Sequence, residues 1–385
     1  MSKFYLKDWH GKEKEFTDDK IFVRGENGKL IQFTQGEGAS PDLRYVTFMS
    51  YDGLTEYGKK AVAVGDDCAD PIARGVFATP TRESDEQYNY YFYGWATTPN
   101  GGADANWNKA ITEDKVVYAN YFTKVNVARG ECGENCTWKL EGDGLLTISG
   151  VGAMANYANK FEQPWVSHAS DIKTIIIEHG ITEIGEYAFG YLQSVTSVTI
   201  KSGVTRIGNN AFYQCNNITS ITIPNTVETI GWYAFGGCKL TELAIPDSVT
   251  RIENYAFMSN KFTTLTLPDT VAYWGNCVFQ ACDKLNRVTL PSNMTTIPIQ
   301  FFVYCSALTN ITIPASVNFI GHMAFYGCDA LTTATFKDTS GWYVTQTKDA
   351  TSGTSVSLTN ASTAATYLRS TYSNGYYWYN PTATA

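Results

Sequence analysis

The stretch CNNITSITIPNTVETIGWYAFGGC, residues 215 to 238, decides the fold because it recurs, most plainly as CSALTNITIPASVNFIGHMAFYGC at residues 305 to 328. Aligned on phenylalanine, the copies give a period: Phe189, Phe212, Phe235, Phe257, Phe279, Phe302 and Phe325 are separated by 23, 23, 22, 22, 23 and 23 residues. A second column keeps the same step. It comprises Ile175-Ile176-Ile177, Val198-Thr199-Ile200, Ile221-Thr222-Ile223, Leu243-Ala244-Ile245, Leu265-Thr266-Leu267, Val288-Thr289-Leu290 and Ile311-Thr312-Ile313, and Ala334-Thr335-Phe336 closes the array. Self-similarity at a fixed period of this size marks a solenoid, in which each repeat is one supersecondary unit stacked on the next.

Five triplets are followed by proline, at Pro224, Pro246, Pro268, Pro291 and Pro314. Proline has no N–H to give a ladder, so it ends each strand at the same place. An apolar pair such as Val227 and Ile230 then leads through Gly-x-x-Ala-Phe to a cysteine, and Cys215, Cys238, Cys282, Cys305 and Cys328 recur there as a buried thiol ladder. Strand alternation puts Ile221 and Ile223 inside and Ser220 and Thr222 outside. The apolar area of one repeat is too small to offset the entropy of ordering its backbone, so stacking must supply the stability. Trp274 and Pro298 stand where other repeats carry Ile-Gly, and local irregularity is expected there.

The 385 residues are enough for more than one domain. With 44% hydrophobic, 17% charged and 14% aromatic residues and 32 glycines, they read as mainly β, a leucine-rich-repeat solenoid preceded by small β modules. A net charge of −8 and no basic cluster interleaved with stacking aromatics exclude nucleic acid as a partner. No apolar run of about 18 residues provides for membrane insertion. Met1 to Phe16 alternates charged and aromatic residues without an apolar signal core, which reads as a chain without a leader.

The repeat units quoted above, with their lead-in CGENCTWKLEGDGLLTISGVGAMANY, resemble the BspA-like leucine-rich repeats of bacterial and protozoan surface proteins. Residues 127–340 are assigned to this solenoid, and the resemblance implies adhesion to host or matrix proteins. Residues 45–126, with VTFMSYDG, Gly94-Trp95, the turn Asn100-Gly101-Gly102 and Val116-Val117-Tyr118-Ala119, resemble an internalin-type B repeat, a small β-grasp module in which Trp95 belongs to the core. Residues 1–44 read as a small β attachment segment, with strands in KFYLKD, KIFVRG and KLIQFT and a Gly25-Glu26-Asn27-Gly28 turn. This start, joined to VTFMSYDG, resembles the N-termini of structural proteins from phages and prophages of gut bacteria. Residues 341–385, ending in Tyr376-Tyr377-Trp378-Tyr379, read as a C-terminal cap.

No arrangement for catalysis is present. His10, His168, His179 and His322 fall in different modules or repeats, and neither a nucleophile elbow nor a phosphate loop occurs. His322 is expected at a solvated or hydrogen-bonded turn. Cys132 and Cys136 have a spacing that suits a disulfide or half a metal site, but no second pair completes zinc coordination. Asp66-Asp67 and Asp18-Asp19 read as solvated turn carboxylates. Asn217-Ile218-Thr219 and Asn310-Ile311-Thr312 reflect threonine-rich strands rather than glycosylation. No catalytic residue, metal or cofactor is assigned.

The candidate ligand surface is the outward face of the strands, Ser220, Thr222, Glu242, Thr264, Thr266, Arg287, Thr289, Asn310 and Thr312, with Trp232, Tyr233 and Tyr255 on the return loops. The sequence reading is a virion-associated adhesin. Its solenoid would contact a host cell-surface protein or glycan, its N-terminus would contact other virion proteins, and homo-oligomers are compatible with it. A bacterial secreted or cell-surface adhesin and a decoration protein without a specific ligand are the alternatives.

Overall fold

The computed structural model describes residues 43–73, 75–83, 85 and 87–382, together with the backbones of the strands Phe4–Lys7, Glu13–Phe16, Ile21–Arg24 and Leu30–Phe33. These four strands form two antiparallel pairs, Phe4–Lys7 with Glu13–Phe16 and Ile21–Arg24 with Leu30–Phe33. Glu13–Phe16 is the strand the sequence reading missed, since EKEF carries no apolar alternation. The turn at 25–28 lies outside the described residues.

The chain divides into two compact units, Met1–Thr123 and Lys124–Ala385. In the first, Leu43–Met49 pairs antiparallel with Glu56–Ala63 and parallel with the start of the long strand Lys115–Gly133. Its core gathers Val46, Phe48, Val62, Trp95, Trp107 and Val117. Phe48 meets Trp95 edge-on at 4.8 Å, so Trp95 is a core residue.

The second unit is the solenoid. It opens with an antiparallel hairpin, Cys136–Glu141 with Leu145–Gly150, and continues as parallel coils held by three hydrogen-bond ladders. The first ladder runs from Leu145–Gly150 through Thr174–Ile177 to Ser197–Ile200, and resumes as Thr264–Thr266, Arg287–Thr289, Asn310–Ile313 and Thr333–Phe336. The second runs through Ile181–Ile184, Arg206–Ile207, Thr229–Ile230, Arg251–Ile252 and Tyr273–Trp274, then resumes as Thr296–Ile297 and Phe319–Ile320. The third lies on the phenylalanine side, where Tyr187, Phe189 and Tyr191 donate N–H to Asn209, Ala211 and Tyr213 of the next coil. The pattern persists as far as Tyr304 to Tyr326.

This third ladder explains a backbone feature. Two residues before each phenylalanine, Tyr187, Asn210, Tyr233, Tyr255, Cys277, Gln300 and Met323 all have φ between 54° and 60°. Two residues after it the chain is left-handed again, at Tyr191, Gln214, Gly237, Ser259, Ala281, Tyr304 and Gly327. Glycine takes that conformation without a steric cost, whereas the other residues hold it because neighbouring coils fix their N–H groups.

The structure corrects two of the expected strands. Ile221-Thr222-Ile223 and Leu243-Ala244-Ile245 form no ladder strand, and Ile221, expected inside, is only half-buried. Length does not account for the break: Ile221-Thr222-Ile223 follows a segment of the full nine steps from Cys215 to Pro224 and is unpaired, whereas Thr264–Thr266 follows one of eight, from Asn260 to Pro268, and pairs with Arg287–Thr289. The second ladder breaks at a proline. Gly231, Glu253, Gly275 and Gly321 donate N–H to the carbonyls of Ile207, Ile230, Ile252 and Ile297, and Pro298 stands in that column with no N–H to offer Trp274.

Inside, Trp165, Phe189, Phe212, Phe235, Phe257, Phe279, Phe302 and Phe325 form one column of near-parallel rings, with successive centroids 5.3 to 6.0 Å apart. The tail closes the far end. Trp342, Leu358, Ala364, Ala365, Leu368 and Trp378 join the solenoid core, and Asn360 caps the short helix Ala361–Thr366 by accepting the N–H of Thr363. Ser373 O accepts the N–H of Met323, which continues the third ladder by one bond.

Candidate binding surface

The first ladder positions the outward residues. Thr264 shares a rung with Arg287, Arg287 with Asn310, and Asn310 with Thr333; beside them Thr266 pairs with Thr289, and Thr312 with Thr335. All eight are exposed, and the alternate residues Leu265, Val288, Ile311 and Ala334 are buried. Strand periodicity therefore makes two polar rows, one paired rung to rung from Thr264 to Thr333 and the other in two pairs, Thr266 with Thr289 and Thr312 with Thr335. Arg287 is the cation of these rows, and its guanidinium forms no ion pair among the described residues. Sequence reading left Thr333 and Thr335 out, although each lies one period of 23 residues after Asn310 and Thr312.

Ser220, Thr222 and Glu242 are exposed too, but they lie in the interrupted part of the ladder. They are not brought onto the rungs that carry the other candidates. The return-loop aromatics separate by packing. Trp232 is 46% exposed, whereas the rings of Tyr233 and Tyr255 stack at 4.5 Å and are half-buried. Tyr233 also meets Tyr213 at 5.2 Å, so it and Tyr255 are parts of an aromatic seam between coils.

The cysteine ladder has a physical role. Cys215, Cys238, Cys305 and Cys328 direct Sγ to the carbonyls of Phe189, Phe212, Phe279 and Phe302 at 3.0 to 3.3 Å, and Cys282 reaches Phe257 O at 3.5 Å. Burial pushes the thiols of Cys215, Cys282 and Cys328 up to about 12. Asn260 occupies the same column and is fully buried. Sequence reading missed it because it is not a cysteine, yet it stands three residues after Phe257 as each ladder cysteine stands after its own phenylalanine.

Cys132, near the end of Lys115–Gly133, and Cys136, at the start of Cys136–Glu141, are buried free thiols, and desolvation raises both. Among the described residues no three His, Cys, Asp or Glu side chains gather to hold a metal ion. Asp67 accepts from Lys109 Nζ at 2.6 Å and from Ala110 N at 2.9 Å, and so ties two loops together. His322 departs from expectation. Its Nε2 is buried without a partner, and the ring lies 5.8 Å from Tyr377 of the tail, which covers what would otherwise be an open turn.

Parallel coils with one apolar column, a polar strand face and capped ends define a leucine-rich-repeat solenoid. Residues 164–239 and 228–341 match the model of the BspA type leucine rich repeat region, in six copies, and this part of the chain consists of such repeats. The chain is similar to a leucine-rich repeat protein from Eubacterium ventriosum, at 24% identity and a TM-score of 0.35 over 54% of this chain and 72% of that one. It is also similar to one from Bacteroides ovatus, at 25% identity and a TM-score of 0.42 over 53% and 60%. A third likeness is to a leucine rich cell surface protein from Faecalibacterium prausnitzii, at 17% identity and a TM-score of 0.24 over 54% and 94%. No curated protein matches the chain.

Proposed function

We propose that this chain is a bacterial cell-surface or secreted binding protein that uses the polar rows of its solenoid to adhere to a protein or glycan on another surface, and that it catalyses no reaction. The observation that carries this reading is the pair of rows from Thr264 and Thr266 to Thr333 and Thr335, exposed on a ladder that fixes their spacing before any partner arrives. Neutral hydroxyls and amides around one unpaired guanidinium suit a polar, hydrogen-bonding partner. The six repeat copies support the surface reading over the virion one. The virion reading drew on residues 1–44 joined to VTFMSYDG, and nearly all side chains of residues 1–44 lie outside the described residues.

The test is binding of the labelled full chain to epithelial cells and to immobilised extracellular-matrix proteins. Saturable binding, weakened at least ten-fold by Arg287→Glu combined with Thr289→Glu at an unchanged melting temperature, is the expected result. Equal binding by the double variant would remove these rows from the function.

A further inference from the structure

The tail presents a second surface. Across the strands Phe319–Ile320, Tyr377–Tyr379 and Tyr343–Thr345, Phe319 stands opposite Tyr379, and Tyr379 opposite Tyr343. The neighbouring row, Ile320, Trp378 and Val344, points into the core and is buried. Strand alternation therefore leaves Phe319, Tyr379 and Tyr343 as a row of half-exposed rings on the outer face, with centroids 5.0 and 5.5 Å apart. Beside the row is a depression of about 380 Å³ lined, among the described residues, by Asn318, Phe319, Tyr343, Tyr379, Asn380 and Pro381. It is a shallow depression open to solvent rather than an enclosed cavity.

Both phenols are already committed. Tyr343 Oη donates to Ala350 O at 2.8 Å, and Tyr379 Oη accepts the N–H of Asp349 at 2.6 Å, so the rings are held in place without a ligand. Asn380 is fixed by Asp338 Oδ2 at 3.2 Å and by Thr382. The side-chain amide of Asn318 has no partner among the described residues, which leaves a donor pair and an acceptor at the edge of the depression. No charged side chain is among the residues that line it.

We infer that this depression is a saccharide-binding subsite, separate from the polar rows of the first ladder. A sugar ring offers apolar C–H patches to half-exposed aromatic rings and hydroxyls to a free amide, and an uncharged lining matches an uncharged ligand. A peptide added as a further strand is disfavoured. Tyr377–Tyr379 is paired on both sides, by Phe319–Ile320 and by Tyr343–Thr345, so the row offers no free main-chain edge.

The full chain is titrated calorimetrically with tetrasaccharides of glucose, mannose, galactose and N-acetylglucosamine, and with a proline-rich decapeptide as the competing chemistry. At least one saccharide is expected to bind. Phe319→Ala and Tyr343→Ala should each weaken it ten-fold or more, and Phe161→Ala, at the opposite end of the solenoid, should leave it unchanged. Should an aromatic variant fail to fold, Asn318→Ala removes only the free amide and is expected to weaken binding several-fold. Binding of none of the four saccharides, binding that survives these substitutions, or binding of the decapeptide alone overturns the assignment.

Discussion

Asn260 donates from Nδ2 to the carbonyl oxygen of Phe235 at 2.9 Å, doing in one coil what a cysteine thiol does in its neighbours. The same amide donates to Phe257 O at 2.9 Å, and its Oδ1 accepts the N–H of Leu240 at 3.0 Å. Asn260 lies at the junction of the two shortened repeats, and its longer side chain reaches two main-chain carbonyls and one N–H. Asn260→Leu leaves the buried N–H of Leu240 unpaired and removes the amide's bonds to Phe235 O and Phe257 O, and should cost about 1–3 kcal/mol. Asn260→Cys keeps a weak donor to Phe235 O and should cost less. Urea unfolding of both variants checks the order, and an Asn260→Leu protein as stable as Asn260→Cys would contradict it.

Phe257 is fully buried between Phe235 at 5.5 Å and Phe279 at 6.0 Å. Phe257→Ala opens a void in the middle of the column and should lose about 3–5 kcal/mol. A thermal melt that does not move would refute this packing.

Trp378 is buried where the tail meets the last coil, and its Nε1 donates to Tyr372 O at 3.1 Å. Trp378→Ala should cost about 3–5 kcal/mol and expose the open end of the core. Increased binding of a hydrophobic dye below the melting temperature is the expected readout.

The interrupted ladder should be visible in amide exchange. Among the described residues the N–H groups of Ile221, Ile223, Leu243 and Ile245 form no hydrogen bond. They should exchange well before the amides of Asn310–Ile313, a strand paired on both sides. Equal protection in the two segments would show that the ladder is whole in solution.

The buried thiols make stability depend on alkaline pH. Cys215, Cys282 and Cys328 ionise near 9.0 when exposed and are raised by burial to about 12, so above pH 9 the folded chain holds protons that the unfolded chain has released. Their contribution is complete below pH 9 and falls as pH rises toward 12, by about 1.4 kcal/mol per pH unit for each thiol. Melts in reducing buffer from pH 7 to 11 should show a decline that is shallower in Cys282→Ala.

The sequence made the solenoid legible through period alone, since the phenylalanines from Phe189 to Phe325 mark seven coils and the prolines end five of the strands. Pro298 was readable as a disturbance for the same reason. The missing strands at Ile221 and Leu243 were not. A triplet such as Leu-Ala-Ile keeps its apolar alternation whether or not it is paired, and pairing depends on how closely the neighbouring coil approaches. Of the candidate surface, exposure followed from alternation. The stacking of Tyr233 on Tyr255 depended on coil-to-coil distances that no single repeat encodes.

The two ladder breaks fall at different places along the coil. Where the first ladder is lost, between Ser197–Ile200 and Thr264–Thr266, the second is continuous from Arg206 to Trp274; where the second is lost, between Tyr273–Trp274 and Thr296–Ile297, the first pairs Thr264–Thr266 with Arg287–Thr289. The third passes both breaks intact. Like staggered joints in a masonry wall, the faults never line up, so the array has no ready plane of cleavage. Pulled lengthwise from one end, as a tethered protein is in flow, it should resist parting at either flaw and transmit the load along its whole length.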